Sequence, residues 1–143
     1  MKKLIVGILL FTVLIACNKD DDNVSSIVGT WKPDSIFLIS GADGTVYQQI
    51  PLDDCMKQST LQFTQDGKAI SDSYFSDGTD CVHQGISTTD YTYNQSDHKL
   101  IIDGDEEYDV SELTQNKMVM DADTGLDLNG DGVNEFARQV LVK

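Results

Sequence analysis

The ten residues DLNGDGVNEF, Asp127 to Phe136, set oxygen-bearing side chains at alternate positions around two glycines. Counting Asp127 as first, Asn129 is third, Asp131 fifth, Gly132 sixth, Val133 seventh and Glu135 ninth. That order supplies three carboxylates, an amide oxygen and, at Val133, a backbone carbonyl, while Gly132 permits the turn that aims them inward. The chemistry such a set performs is the binding of a hard cation, calcium, which takes roughly six to eight oxygens. With five protein ligands and water for the rest, the expected affinity is weak, about 10⁻⁴ to 10⁻³ M. Asp121 and Asp123 are further ligands if the chain folds back. The same residues also read as a bare turn, because Asn-Gly-Asp-Gly between apolar runs is a good hairpin connection and acidic turns are expected in an acidic chain.

In an EF-hand the twelfth position is a bidentate glutamate; here it is Arg138, so a helix-loop-helix site is excluded. The stretch resembles instead the nine-position Asp-x-Asn-x-Asp-Gly-x-x-acid loops found between strands of extracellular repeat proteins. Catalytic chemistry finds no comparable footing. His83 and His98 fall in what read as a loop and a turn, with no His-x-x-x-His pairing, so a zinc site is not expected. Cys81 stands near Asp80 and His83, but a cysteine held in a disulfide is no nucleophile. No Gly-x-Ser-x-Gly elbow or phosphate loop is present. No carboxylate pair is marked out by apolar surroundings. The chain is expected not to be an enzyme.

Three cysteines divide into one and two. Lys2 and Lys3 precede LIVGILLFTVLIA, thirteen apolar or small residues that fit the core of a secretory signal and fall short of the roughly 20 needed to cross a bilayer. The run closes on Leu14-Ile15-Ala16-Cys17, which resembles the lipobox of bacterial lipoproteins. That resemblance implies removal of residues 1–16 and acylation of Cys17, whose two or three fatty chains suffice for stable anchoring at about 0.8 kcal/mol per buried methylene. Cys55 and Cys81 then remain as an even pair in an oxidising compartment, and a disulfide is expected, closing a loop worth about 3 kcal/mol.

Residues 17–25, the lipidated Cys17 followed by an acidic stretch without apolar periodicity, read as a tether, and 26–143 as one domain. The tether is similar to the segment that follows the lipidated cysteine in surface-exposed lipoproteins of the Bacteroidetes. The chain holds 10 Lys and Arg against 24 Asp and Glu; without Lys2 and Lys3 the balance is 8 against 24, a net charge near −16. A surface of that sign repels nucleic acid and anionic lipid and favours solubility outside the cell. The acids are spread along the chain, so charge alone names no ligand.

Positioning these residues falls to strands. Apolar or β-branched runs separated by Asp-Gly, Gly-Asp and Ser-Asp turns predict strands over 29–39, 45–50, 60–64, 69–75, 89–94, 99–102, 108–113, 117–121 and 135–142. TLQFTQDGKAI and YTYNQSDHKLII are hairpin signals, turning at Asp66-Gly67 and Ser96-Asp97. The one helical expectation is a single turn in PLDDCMKQS, capped by Asp53 or Asp54. Consecutive hairpins predict an all-β fold, an antiparallel up-and-down meander of about eight to nine strands closed into a barrel, or else a strongly curved sandwich.

Gly29-Thr30-Trp31, opening the first strand, resembles the Gly-x-Trp entry of lipocalins, in whose barrels an arginine from the last strand lies across that tryptophan. The chain has one tryptophan and one arginine, and Arg138 falls on the last predicted strand beside Phe136, Val140 and Val142 by period two. A Trp31–Arg138 plug worth about 0.5 to 2 kcal/mol is therefore expected. The order of features along the chain is similar to the lipocalin-like lipoproteins of the Bacteroidetes. It implies a lipocalin-like barrel, lipid-anchored to the outer membrane of the cell envelope and expected to act as a monomer. Two functions follow. One is binding of a small apolar or amphipathic ligand, with Tyr91, Tyr93, Phe63 and Met118 as lining if they are not simply core. The other is a solid barrel whose loops meet a partner protein or glycan.

Overall fold

The Asp-Gly and Ser-Asp punctuation does set the strand ends in the computed structural model, which describes residues 26–143; the expected leader, Cys17 and the tether to residue 25 lie outside the described residues. Nine strands follow in order: β1 (Gly29–Ile39), β2 (Val46–Ile50), β3 (Thr60–Phe63), β4 (Lys68–Ser76), β5 (Cys81–Asn94), β6 (Lys99–Ile102), β7 (Glu106–Leu113), β8 (Lys117–Asp123) and β9 (Phe136–Val142). Every pairing is antiparallel, and β9 returns to pair with β1 from Lys32↔Val142 to Ile39↔Phe136. Eight strands thus form a closed barrel without a free edge.

The remaining strand, β2, departs from a plain meander. Along one edge of β1, Gly29 to Trp31 pair with β3, and Ile36 to Ile39 pair with β2. The chain therefore turns back beside β1 and then crosses through residues 51–59 before rejoining the barrel. A single 3-10 turn, Met56–Gln58, sits in that crossing. Asp53 starts it, its Oδ1 accepting the Cys55 and Met56 N–H groups at 2.9 and 2.7 Å.

Antiparallel order gives the barrel two unlike ends. At one end lie the start of β1 and the β3–β4, β5–β6 and β7–β8 turns, and the side chains there close the interior. Trp31, Phe63, Leu100 and Met118 are fully buried in the core, each contributing on the order of 1.5 to 3 kcal/mol by leaving water. Phe63 meets Tyr91 edge to face at 4.8 Å, and the Tyr91 hydroxyl donates to the Thr64 carbonyl at 2.8 Å. At the other end lie the β4–β5 and β6–β7 turns, the β8–β9 loop and the crossing segment.

Two expectations are corrected here. β5 begins at Cys81, not near Thr89, so His83 is a strand residue; it holds Asp72 at 2.6 Å and stacks on Tyr74 of β4. Arg138 does not cover Trp31. On β9 it is Gln139 and Leu141 that face the interior. Arg138 points to the opposite side, where Asp121 of β8 takes its fork through Nε and a terminal nitrogen at 2.8 and 2.7 Å. The cation over the indole is Lys143, 4.3 Å from the ring centroid, its ammonium also donating to the Val28 carbonyl.

Candidate functional site

Because the packed side chains sit at one end, the rest of the interior is open. A cavity of about 540 Å³ lies there, inside the range of about 300 to 1,000 Å³ typical of small-molecule sites. Its apolar lining comes from Trp31, Leu61, Ala69, Ile102, Met120 and Leu141. Hydroxyls line it as well, from Ser59, Thr60, Ser71, Tyr74, Ser87 and Thr89. Asp103, Glu106 and Tyr108, from the β6–β7 turn and the start of β7, complete it with two carboxylates and a phenol. The Tyr108 hydroxyl donates to Glu106 at 3.3 Å. Burial, helped by the Glu106 charge, pushes the Tyr108 phenol above its ordinary value, so it stays a donor at neutral pH.

The crossing segment supplies Leu52 and Met56 to the same cavity. Two ties hold that segment. The Cys55–Cys81 disulfide, expected from the sequence, joins it to the start of β5 with Cα atoms 5.4 Å apart. Ser59 Oγ accepts the Tyr74 N–H at 2.9 Å and donates to the Tyr74 carbonyl, joining it to β4. Of the expected lining residues, Phe63, Tyr91, Tyr93 and Met118 line none of this cavity; they pack into, or against, the core at the closed end. The hydroxyl wall gave no signal in the sequence, because Ser and Thr on a strand read as solvent-facing until the opposite wall is known.

The Asp127–Glu135 stretch is the connection from β8 to β9. Asp127 accepts the N–H groups of Gly130, Asp131 and Gly132, two on Oδ1 and one on Oδ2. Asn129 Oδ1 accepts the Asp131 N–H, and Asp131 Oδ1 accepts that of Val133, both at 2.9 Å. Gly130 and Gly132 take φ of +79° and +89°, a region open to them without strain. Thr124 closes the neck, its N–H and hydroxyl both donating to the Glu135 carbonyl. Glu135 itself is 0 % exposed. Its Oε2 accepts the Leu128 N–H at 2.6 Å, and its Oε1 has no partner. Asp121 and Asp123 do not join the set: Asp121 is committed to Arg138, and Asp123 accepts from Gly125 and Asn134. Among the described residues, no three His, Cys, Asp or Glu side chains are gathered as metal ligands.

A family model described as a lipocalin-like domain matches residues 27–120, more than half of the chain. Comparison with curated protein sequences found no significant match. Among solved structures, a deswapped triple mutant of bovine odorant binding protein is similar at 11% identity and a TM-score of 0.41, covering 80% of this chain and 72% of that one. The complex of bovine odorant binding protein with undecanal is similar at 13% identity and a TM-score of 0.42, covering 86% of this chain and 74% of that one. By the family match, with the closed antiparallel barrel already described, the chain belongs to the lipocalin-like domain family.

Proposed function

We propose that the barrel binds a small amphipathic molecule, with its apolar part against Trp31, Ile102, Met120 and Leu141 and a hydrogen-donating or cationic group toward Asp103 and Glu106. The observation that carries this reading is the cavity of about 540 Å³ with apolar, hydroxyl and acidic lining. A solid barrel acting only through its loops would need that volume filled with side chains. The acidic pair sets the preference: an anionic head beside two carboxylates meets like charge, in a chain whose net charge is already −14.

The carrier of this barrel is proposed to be a lipoprotein of the cell envelope, acylated at Cys17 and held at the outer membrane as a monomer. Lys2 and Lys3, the apolar run and the Ala16-Cys17 junction support this part. Labelled palmitate fed to the host should enter the protein and be lost in Cys17→Ser; no label in the unaltered protein overturns the anchor. A native mass spectrum of protein taken from its host should show one retained molecule per chain. Loss of that mass in Ser71→Phe, which fills the cavity, would assign it to the barrel; retention in that variant would place it elsewhere.

A further inference from the structure

We propose that the β8–β9 loop is a calcium site, in which Asp127, Asn129, Asp131, the Val133 carbonyl and Glu135 supply the oxygens. The reason lies less in the acidic spacing than in Glu135. A carboxylate fully removed from water is costly unless its oxygens are hydrogen-bonded or bound to a cation. Glu135 is 0 % exposed, and only one of its two oxygens is satisfied, by the Leu128 N–H. Leu128 lies between Asp127 and Asn129, so this carboxylate is turned into the loop and not outward. Oε1 is a buried acceptor, and none of its neighbours donates to it. A divalent cation is the partner that such an atom lacks.

Asp127, Asp131 and Glu135 are not gathered on one point in this structure, so a bound calcium would have to draw them together. A carboxylate has about four lone-pair directions, and Asp127 uses three for backbone N–H groups, which fix its position and leave a direction for metal. Asp131 Oδ2 is engaged only by the Asn129 amide, an exposed contact that a cation would displace. All donors are oxygens and none is sulfur or imidazole, which selects a hard cation. The set is irregular and held by a loop, and this suits calcium over magnesium, whose small octahedral shell tolerates less distortion. No cavity residue is involved, so the site stands independently of the ligand proposed above.

The test is a calcium titration of the full chain in detergent after removal of divalent ions by EDTA, followed by calorimetry and by thermal melting. One site per chain is expected, with Kd of about 10⁻⁴ to 10⁻³ M. A tenfold excess over Kd should raise the melting midpoint by about 5 °C, and magnesium at the same concentration should do much less. Glu135→Gln keeps the size and the acceptor for Leu128 but removes the charge; it should lose the calcium response while melting, without calcium, no lower than the unaltered chain. Asp131→Asn, at an exposed position, gives the same reading if Glu135→Gln fails to fold. Absence of heat and of any shift in the unaltered chain overturns the site, as does an undiminished calcium response in both variants.

Discussion

Trp31 shows how a residue's neighbours decide what its motif means. Its ring is fully buried, its N–H donates to the Ile27 carbonyl at 2.8 Å, and Lys143 covers its face. Gly29 makes that possible: a Cβ there would come within 2.8 Å of the Lys143 side chain, and its φ of +136° is open to glycine alone at low cost. Lys143→Ala should therefore shift Trp31 emission and cost up to about 1 kcal/mol. Arg138→Ala should leave that emission unchanged, yet destabilise by about 1 to 3 kcal/mol because it strands Asp121, which is only 8 % exposed. Equal emission changes in the two variants would contradict this assignment. The sequence placed Arg138 on the last strand, sharing a side with Phe136, Val140 and Val142, but that side was expected to face Trp31 and it does not. Which side faces inward, and that a carboxylate stands in register across β8, depends on closure and pairing that period two does not contain. The tyrosines give a second check. Burial raises the Tyr91, Tyr93 and Tyr108 phenols above 10.0, so their contribution to stability is complete below the unfolded value of about 10 and fades as pH climbs through the folded values. Ultraviolet titration should show these three phenols ionising late; their ionisation near 10 would contradict their burial.

Among the elements, the crossing segment matters most to the cavity. Residues 51–59 carry Leu52 and Met56, and the covalent bond from Cys55 to Cys81, 26 residues apart, limits how far they swing. Cys55→Ser with Cys81→Ser should lower stability by about 3 kcal/mol. It should also weaken ligand binding severalfold; unchanged affinity would mean that the segment plays no part in the site. The even cysteine count made this bond legible, and Asp-Gly turns made most strands legible, β1 and β6 to the residue. The first half of β5 was hidden because Cys81 to Thr88 is mostly exposed, with no apolar alternation to read; that stretch is a strand by pairing with β4 alone. The β8–β9 loop shows the same limit. Its spacing named the oxygens, but the burial of Glu135 comes from how the loop packs on its surroundings. Gly41 marks one contact: a Cβ at that position would lie 2.1 Å from the Asn134 carbonyl. Gly41→Ala should displace the loop, lowering the melting midpoint and, with it, the calcium response; a calcium affinity equal to that of the unaltered chain would show that this contact does not support the site.

On the scale of the molecule, closure explains both the solid end and the open one. Pairing of β1 with β9 closes the eight-stranded barrel, the aromatic and apolar side chains gather at the Trp31 end, and the interior beyond them is left to a mixed polar and apolar wall. An acidic exterior and an expected lipid anchor would hold such a barrel near a membrane while repelling its anionic surface. The fold class was readable from turn chemistry and strand count; the cavity was not, since its volume depends on which side chains meet across the barrel. Trp31 lines that cavity and is the chain's one tryptophan, so its emission reports occupancy directly. Titration with a medium-chain alkyl amine, and with the carboxylate of equal length, measures the central claim. Saturable change in Trp31 emission with the amine, weaker with the carboxylate and absent in Ser71→Phe, is the predicted result. No saturable change with either probe, or the same change in the filled variant, would contradict a ligand inside the barrel.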